Sequence, residues 1–185
     1  MKNWFENKTV AIVGNAESVL KKQYGKDIDE HQVVVRINRG IQCCVKNYSR
    51  EENFGTKLDV WMFNLYNRNL QLFYHNINHK LISQKFYKMQ MNEDLDNNNF
   101  DFSYSNHYYT ELQKHVSPKY PSTGLRALDY VSKCNPSLVS VYGFDWKETP
   151  TFYDKKAPNA NHDFEKEKTY CKENFAKEKN FIFYH

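Results

Sequence analysis

The chain has 185 residues, a length that corresponds to one domain with a sizeable buried core. Hydrophobic residues make up 40% of the sequence and aromatic residues 16%, which excludes a chain that is disordered by composition. The net charge of +4 at pH 7 is compatible with an anionic ligand, but it does not by itself indicate a nucleic-acid-binding protein.

Short apolar runs in the first half of the chain predict buried parallel strands. These runs are Val10–Val13, Val33–Ile37, Leu58–Phe63 and Lys80–Ser83. The first three end at Gly14, Asn38 and Asn64, and a short helix, Ala16–Lys22, is expected after the first, ended by Tyr24 and Gly25. Strands that alternate with short helices indicate βαβ units with right-handed crossovers, and therefore an α/β fold.

The second half of the chain begins without a clear period and then returns to regular elements. Residues 88–118 have no consistent hydrophobic spacing, and Asn92–Asn99 is predicted to be a loop. Two helices, Ser122–Lys133 and His162–Lys179, and two strands, Leu138–Tyr142 and Phe181–Tyr184, are predicted after it. Ser122 or Thr123 is a suitable N-cap for the first of these helices.

Small and polar residues lie beside two predicted helix N-termini. Gly14 and Asn15 follow the first strand, and Ser122, Thr123 and Gly124 begin the helix in the second half. A helix N-terminus offers free backbone N–H groups and a partial positive charge, which suit a phosphate. Two such places in one α/β domain indicate a nucleotide or nucleotide-sugar site.

The termini and the cysteines indicate a reducing compartment. Met1–Lys8 is short and polar, so no signal peptide or membrane segment is expected before the first strand. The four cysteines, at 43, 44, 134 and 171, contain no C-x-x-C pair, so free thiols are expected rather than a zinc site. Frequent Asn, Lys, Tyr and Phe point to an AT-rich genome, and we expect a cytoplasmic protein of a bacterium, a phage or an infected host cell.

Four groups of residues occur in an order and spacing that are typical of one enzyme family. The first group is Val13–Asn15, Ser18, Leu20, Tyr24–Gly25, Ile28–Asp29, His31, Val35–Arg39, Gly55–Lys57 and Asp59. The others are Pro121–Gly124 with Leu128 and Val141–Phe144, then the degenerate Phe152–Asp154, and finally His162 with Glu167. In these motifs the chain resembles glycosyltransferase family 29, the eukaryotic-type sialyltransferases.

This resemblance implies the fold and the activity. It implies a single catalytic domain over residues 1–185, with a Rossmann-like, mostly parallel sheet of the sialyltransferase-type GT-A variant. It also implies an inverting transfer of sialic acid from CMP-sialic acid to a glycan hydroxyl, with the nucleotide sugar as co-substrate. Neither a membrane nor a metal partner is expected.

The resemblance also assigns roles to individual residues. Donor binding falls to Gly14, Asn15, Asn38, Ser122, Thr123 and Gly124, the general base to His162, and supporting roles to Glu167, Tyr153 and Tyr120. The chemistry of these groups agrees, because an amide can donate to a phosphate oxygen or a ribose hydroxyl and a histidine has a suitable pKa for proton removal. Without the motifs, Asn15 and Asn38 are equally explained as turn residues and His162 as a solvent-exposed side chain. Arg36 and Arg39 are open between ligand binding and structural ion pairs.

The chain departs from the family pattern at two places. Thr151 occupies the position of the histidine in the third motif, which implies that a phosphate contact is lost. Val10 occupies the position of the first cysteine of the family's disulfide, which leaves Cys134 without an evident partner.

No metal is expected, although the Asp-x-Asp pattern of metal-dependent sugar-nucleotide enzymes occurs twice. Asp27 and Asp29 lie inside the first motif, where the resemblance gives Asp29 a structural role, and Asp94 and Asp96 lie in the Asn-rich loop. A CMP-sugar has one phosphate and can leave without a cation, and the enzymes of the resemblance are metal-independent.

Two alternatives keep the fold and change the function. A bacterial or phage transferase could use another nucleotide sugar on a polysaccharide or on a hydroxylated DNA base, and a DNA acceptor predicts a basic face that includes Lys85, Lys88, Lys114 and Lys119. A non-catalytic nucleotide-binding module would have no use for His162. Residues 85–119 are the candidate acceptor lid.

Overall fold

A parallel sheet forms the centre of the protein. The computed structural model describes residues 4–44, 50–64, 79–84, 102–103, 106–155 and 161–184. The strands are β1 (Thr9–Val13), β2 (Val33–Ile37), β3 (Val60–Asn64), β4 (His79–Gln84), β5 (Phe102–Ser103), β6 (Leu138–Tyr142) and β7 (Phe181–Tyr184). They form one seven-stranded sheet in the order β5-β4-β3-β2-β1-β6-β7, and all six neighbouring pairs are parallel. The predicted α/β fold with a mostly parallel sheet is confirmed.

Helices cover both faces of this sheet. The helices are α1 (Gly25–Glu30), α2 (Glu51–Phe54), α3 (Asn106–Val116), α4 (Thr123–Ser132) and α5 (Phe164–Asn174), and two 3₁₀ segments span Glu17–Lys21 and Asn38–Cys44. Apolar side chains of α3, α4 and α5 pack on one face, and those of α1, α2 and the first 3₁₀ segment pack on the other. This three-layer arrangement explains why β1 and β2 are apolar on both sides.

The segment after β1 differs from its prediction. The expected helix Ala16–Lys22 is a 3₁₀ segment over Glu17–Lys21, and Gly25 begins α1 instead of ending a helix. A Cβ atom at Gly25 would lie 2.0 Å from the Glu51 carbonyl oxygen, so the glycine is required for the close approach of α1 to α2. The prediction that Gly25 terminates a helix is therefore wrong, because a tertiary contact demands this glycine.

Arg36 is a structural residue of the sheet. Its side chain is 1% exposed, and the guanidinium donates from Nε to the Lys57 carbonyl (2.8 Å) and from Nη2 to the Phe54 carbonyl (2.8 Å). The Asp29 carboxylate lies 3.8 Å from the same guanidinium and accepts from the N–H groups of Thr56 and Lys57. Of the two interpretations left open for Arg36, the structural one holds, and Asp29 has the structural role that the resemblance implies.

The described cysteines are free thiols. Cys44, Cys134 and Cys171 form no disulfide, and the latter two are buried. Burial raises the pKa of both buried thiols, so they stay protonated and unreactive at neutral pH. No helix in the described part of the chain is long and apolar enough to cross a membrane.

Replacing Asp29 tests this part of the fold. Asp29→Ala removes an acceptor for two backbone N–H groups and the partner of buried Arg36, so we expect the free energy of unfolding to fall by about 2–3 kcal/mol. Asp27→Ala is the matched control, because this exposed aspartate of the same helix makes no side-chain contact of that kind and should change stability by about 0.5 kcal/mol or less. Urea denaturation measures both, and equal losses would contradict the assignment.

Candidate active site

A cavity of about 240 Å³ lies where the carboxyl ends of β1, β2 and β6 meet the N-terminus of α4. Its lining residues are Gly14, Asn15, Ala16, Ile37, Asn38, Ser122, Thr123, Gly124, Gly143, Phe144, Asp145, Trp146, Lys147, Thr151, Tyr153, His162, Phe164 and Glu167. The strand order reverses between β1 and β6, so the crossovers on either side leave a crevice at this edge. Nine of the ten predicted site residues line this one cavity, and Tyr120 is the exception.

Two glycines form the floor of the cavity. A Cβ atom at Gly14 would lie 2.3 Å from the Gly143 carbonyl oxygen, and Gly143 itself has a φ of +66°. Any side chain at Gly14 would push the ends of β1 and β6 apart. Gly14 therefore serves the site by allowing this close approach.

Asn15 is held by two hydrogen bonds. Its Nδ2 donates to the Ile37 carbonyl (3.2 Å) and to the Tyr153 hydroxyl (3.3 Å). Its Oδ1 is buried and has no hydrogen-bond partner in the described part of the chain. The sequence indicated an amide that donates to a ligand, whereas in this structure the free group is an acceptor that suits a ribose hydroxyl or an amino group.

The absence of a side chain at Gly40 leaves room for the Asn15 amide. A Cβ atom at Gly40 would lie 2.2 Å from Oδ1 of Asn15, so any side chain there would displace the amide. Asn38 precedes Gly40 by two residues, has a φ of 46° and lines the cavity. Its carbonyl accepts from Nε1 of buried Trp61 (2.8 Å), so the turn after β2 is anchored to the core.

Ser122 and Glu167 form a buried pair. The Ser122 N–H and hydroxyl donate to Oε1 and Oε2 of Glu167, each at 2.7 Å, and the same hydroxyl oxygen accepts from the Leu125 N–H (3.1 Å). Ser122 is thus the predicted N-cap of α4, but both of its donors are used within the protein. The N–H groups of Thr123 and Gly124 have no acceptor among the described residues, so at this helix end they are available to donate to an anion.

Glu167 is a carboxyl group in an apolar setting. The residue is 1% exposed, and burial raises its pKa to about 7, while the Ser122 hydrogen bonds and the positive charge of Arg126 act in the opposite direction. Glu167 binds Ser122, and no hydrogen bond to His162 occurs within the described ranges.

Nε2 of His162 has no hydrogen-bond partner within the described ranges and can accept a proton. Its Nδ1 lies 2.7 Å from the Tyr120 carbonyl oxygen, which can only accept, so the neutral ring carries its proton on Nδ1. Burial lowers the pKa of His162, the hydrogen bond to Tyr120 opposes this, and the positive charges of Arg126, Lys147 and Lys119 lower it further. The imidazole is therefore neutral at neutral pH, the form that a general base requires.

Tyr120 supports the site through its backbone. Its ring is 53% exposed and lies outside the cavity, whereas its carbonyl positions His162. The supporting role of Tyr120 stays a prediction, and the contact that could provide it is made by the main chain. The side chain, which is what the sequence pattern displays, makes no contribution to the cavity lining.

Tyr153 and Arg39 border the cavity on the side of Asn15. The Arg39 guanidinium lies 5.1 Å from the centre of the Tyr153 ring, a cation–π contact. Burial raises the pKa of Tyr153 to about 12, although Arg39 acts to lower it, so the phenol stays protonated and can donate a hydrogen bond. Thr151 lines the cavity too, and its hydroxyl donates to the Asp154 carbonyl (2.7 Å).

Nine of the eighteen lining residues were not among the predicted site residues, and four of these nine have long or aromatic side chains. Phe144 belongs to the second motif without an assigned role, and Trp146, Lys147 and Phe164 had none. No local pattern points to them, because the turn after β6 positions two of them and the start of α5 positions the third.

No cluster of three metal-ligating side chains is present in the ranges that the structure describes. Asp29 is engaged by backbone N–H groups, and Asp94 and Asp96 lie outside those ranges. Residues 85–101 of the candidate lid also lie outside them. Metal independence stays a prediction.

Replacing Glu167 tests the environment of its carboxyl group. With a folded pKa of about 7 and an ordinary value of 4.5, the folded protein binds more protons than the unfolded chain between these values, so wild-type stability falls as the pH rises through this window. Glu167→Gln cannot titrate, so its free energy of unfolding relative to the wild type should rise between pH 5 and pH 7. Urea titrations at several pH values measure this, with exposed Glu165→Gln as the control. If the free energies of unfolding of the wild type and of Glu167→Gln changed with pH in parallel, the raised pKa of this buried carboxyl group would be contradicted.

The sequence and the fold both resemble sialyltransferases. The family model of glycosyltransferase family 29 (sialyltransferase) matches residues 5–96. A search of curated protein sequences found no match. A mammalian sialyltransferase crystal structure is similar with a TM-score of 0.66 at 16% identity, covering 96% of this chain and 69% of that one.

Two structures from Campylobacter jejuni are similar as well. The α-2,3-sialyltransferase in apo form has a TM-score of 0.61 at 15% identity, and covers 99% of this chain and 79% of its own. The sialyltransferase CstII in complex with the substrate analogue CMP-3FNeuAc has a TM-score of 0.55 at 15% identity, with coverages of 96% and 79%. These likenesses confirm the predicted fold, and together with the family model they confirm the resemblance seen in the motifs.

Proposed function

We propose that the chain is a member of glycosyltransferase family 29 (sialyltransferase), whose model matches residues 5–96, and that it transfers sialic acid from CMP-sialic acid to a glycan hydroxyl by inversion, without a metal, using His162 as the general base. One observation supports this proposal above the others. A neutral histidine with a free Nε2 and the unpaired N–H groups at the start of α4 line the same cavity. A base and an anion site side by side are what displacement of a phosphate leaving group requires.

The donor binds with its phosphate at the N-terminus of α4. The N–H groups of Thr123 and Gly124 donate to the phosphate oxygens, and the helix dipole favours the negative charge. Oδ1 of Asn15 accepts from the nucleoside part of the ligand, while Asn38 forms the neighbouring wall at the end of β2. Gly14 allows the two strand ends to approach closely enough to form this surface.

The chemical step is a direct displacement at the anomeric carbon. Nε2 of His162 takes the proton of the acceptor hydroxyl as its oxygen attacks, the bond from the anomeric carbon to the phosphate oxygen breaks, and CMP leaves with the electron pair. The negative charge that develops on the departing phosphate is met by the N–H groups of Thr123 and Gly124. In this scheme a single phosphate leaves, so no cation that bridges two phosphates is needed.

Glu167 and Tyr120 position these groups. Glu167 fixes Ser122 and with it the start of α4, and the Tyr120 carbonyl fixes the tautomer and the direction of the His162 ring. Both act through another residue, so they are positioning residues.

A DNA acceptor receives no support from the structure or from the comparisons. Of the four lysines that would form a basic face, Lys85 and Lys88 lie outside the described ranges. Lys114 pairs with Glu111, with 2.6 Å between Nζ and Oε1. A donor other than CMP-sialic acid remains an alternative on the same scaffold, and binding of CMP compared with UDP and GDP distinguishes the two.

Ligand-dependent stability tests the donor assignment. We expect CMP to raise the apparent melting temperature, UDP and GDP to have little effect, and EDTA to leave the CMP shift unchanged. Turnover of CMP-sialic acid in the presence of galactose-terminated glycans should then be detected as release of CMP. A larger shift with UDP or GDP would replace the proposed donor, and a CMP shift that EDTA abolishes would contradict metal independence.

Replacing His162 tests the base. We expect His162→Ala to lower kcat/KM by about 10²–10⁴-fold, because the acceptor proton then has no acceptor, while the dissociation constant of CMP changes by about twofold or less. His31→Ala is the matched control, since Nδ1 of His31 also meets a backbone carbonyl, that of Asp27, but the ring lies outside the cavity. Full activity in His162→Ala would exclude this residue as the base. A wild-type protein that binds CMP but shows no turnover would favour a non-catalytic module.

A further inference from the structure

The turn after β6 contains two residues in the left-handed region. Trp146 has a φ of 57° and Lys147 a φ of 69°, and neither is a glycine. Such backbone angles are unfavourable for L-residues and persist only where surrounding contacts impose them. Two in succession at the wall of a cavity indicate that this conformation serves the site.

The Asp145 carboxylate imposes this conformation. It accepts from the N–H of Lys147 (3.1 Å) and from the N–H of Thr149 (3.2 Å), and it also accepts from the Thr149 hydroxyl. The hydroxyl oxygen of Thr149 in turn accepts from the N–H of Ser18 (3.1 Å), which ties the turn to the 3₁₀ segment after β1. The Asp145 carboxylate is therefore engaged in hydrogen bonds of the turn itself, while its negative charge still acts on the ammonium group of Lys147.

The turn brings the Lys147 side chain into the cavity. Among the described lining residues, Lys147 is the one lysine or arginine. It is half-buried, and burial lowers the pKa of its ammonium group. No ion pair or side-chain hydrogen bond of Lys147 occurs in the described ranges, and the second acid of the cavity, Glu167, is bound to Ser122. The negative charges of Asp145 and Asp154 oppose this lowering of the pKa, but neither carboxylate forms an ion pair with Lys147 in those ranges, so the partly desolvated ammonium group can take a further anion.

We propose that Lys147 is the residue that binds the phosphate of the nucleotide-sugar donor as a point charge, together with the first-turn N–H groups of α4. This inference rests on the proposed function and adds a substrate-contacting residue to it. The N–H groups of Thr123 and Gly124 line the same cavity and also select an anion, so the cation and the helix end converge on one group. The positive charge of Lys147 also acts on His162, whose pKa it helps to lower, so the ammonium lies near the base.

Lys147 then acts in both binding and transfer. Its charge attracts the phosphate in the ground state and stabilises the additional negative charge that develops as the bond to the anomeric carbon breaks. An arginine keeps the positive charge but has a planar guanidinium in place of a compact ammonium group, so we expect it to replace Lys147 only in part. Methionine is an unbranched L-residue like lysine and meets a similar backbone cost at this φ, so the substitution removes the charge while the turn is expected to persist.

Calorimetric titration with CMP and with cytidine tests this assignment. Lys147→Met should weaken CMP binding about 10–100-fold, as expected for loss of a charge-assisted contact, and leave cytidine binding unchanged. Lys147→Arg should weaken CMP binding by about fivefold or less. Exposed Lys177→Met, which lies outside the cavity, is the matched control and should bind both ligands like the wild type. Melting temperatures of all variants verify folding.

Several outcomes would overturn the assignment. Unchanged CMP binding in Lys147→Met excludes the phosphate contact, and equal losses for CMP and cytidine indicate a general disruption of the cavity. A loss seen with CMP-sialic acid but not with CMP would place the lysine on the sugar carboxylate instead. If the wild type binds UDP and not CMP, the donor proposal fails, but the same comparison with UDP and uridine still decides the role of Lys147. If it binds no nucleotide, both proposals fail.

Discussion

Hydrogen bonds between two short segments, residues 120–122 and residues 161–167, determine the geometry on which the site depends. The Tyr120 N–H donates to the Asn161 carbonyl (3.1 Å), its carbonyl lies 2.7 Å from Nδ1 of His162, and both donors of Ser122 meet buried Glu167. The first segment leads into α4, where the proposed anion site lies, and the second contains His162, the proposed base, and the first turn of α5. Because side chain and main chain bind across the same junction, the distance between base and anion site is fixed by the fold, which is the condition for a preorganised displacement.

The sheet forms the other half of the site mainly through its backbone. The reversal of strand order between β1 and β6 opens a crevice, and Gly14 and Gly143 allow the two strand ends to approach. Groups that hold the site together and groups that meet the ligand are thereby separated. Ser122, Glu167 and Asp145 form their hydrogen bonds inside the protein. The N–H groups of Thr123 and Gly124, Oδ1 of Asn15 and Nε2 of His162 have no partner among the described residues, and in the proposed function they contact the substrates.

The strands and the members of the cavity could be predicted from the sequence, but several of their interactions could not. β1, β2, β6 and β7 are mostly apolar runs, and the motif spacing identified nine of the lining residues. Long-range partners decided the rest. The amide donors of Asn15 are taken by Ile37 and Tyr153, and Gly25 is required by α2. Lys147 was missed because its position follows from a left-handed turn stabilised by Asp145, which no hydrophobic period records.

A crystal structure of the complex with CMP tests the central claim most directly. The account predicts that CMP occupies the cavity at the ends of β1, β2 and β6, with its phosphate oxygens within about 3.2 Å of the N–H groups of Thr123 and Gly124. It also predicts that His162 keeps its bond to the Tyr120 carbonyl and that Nε2 faces the space where the sugar would lie. A CMP molecule bound elsewhere, or one whose phosphate points away from α4, would contradict the account.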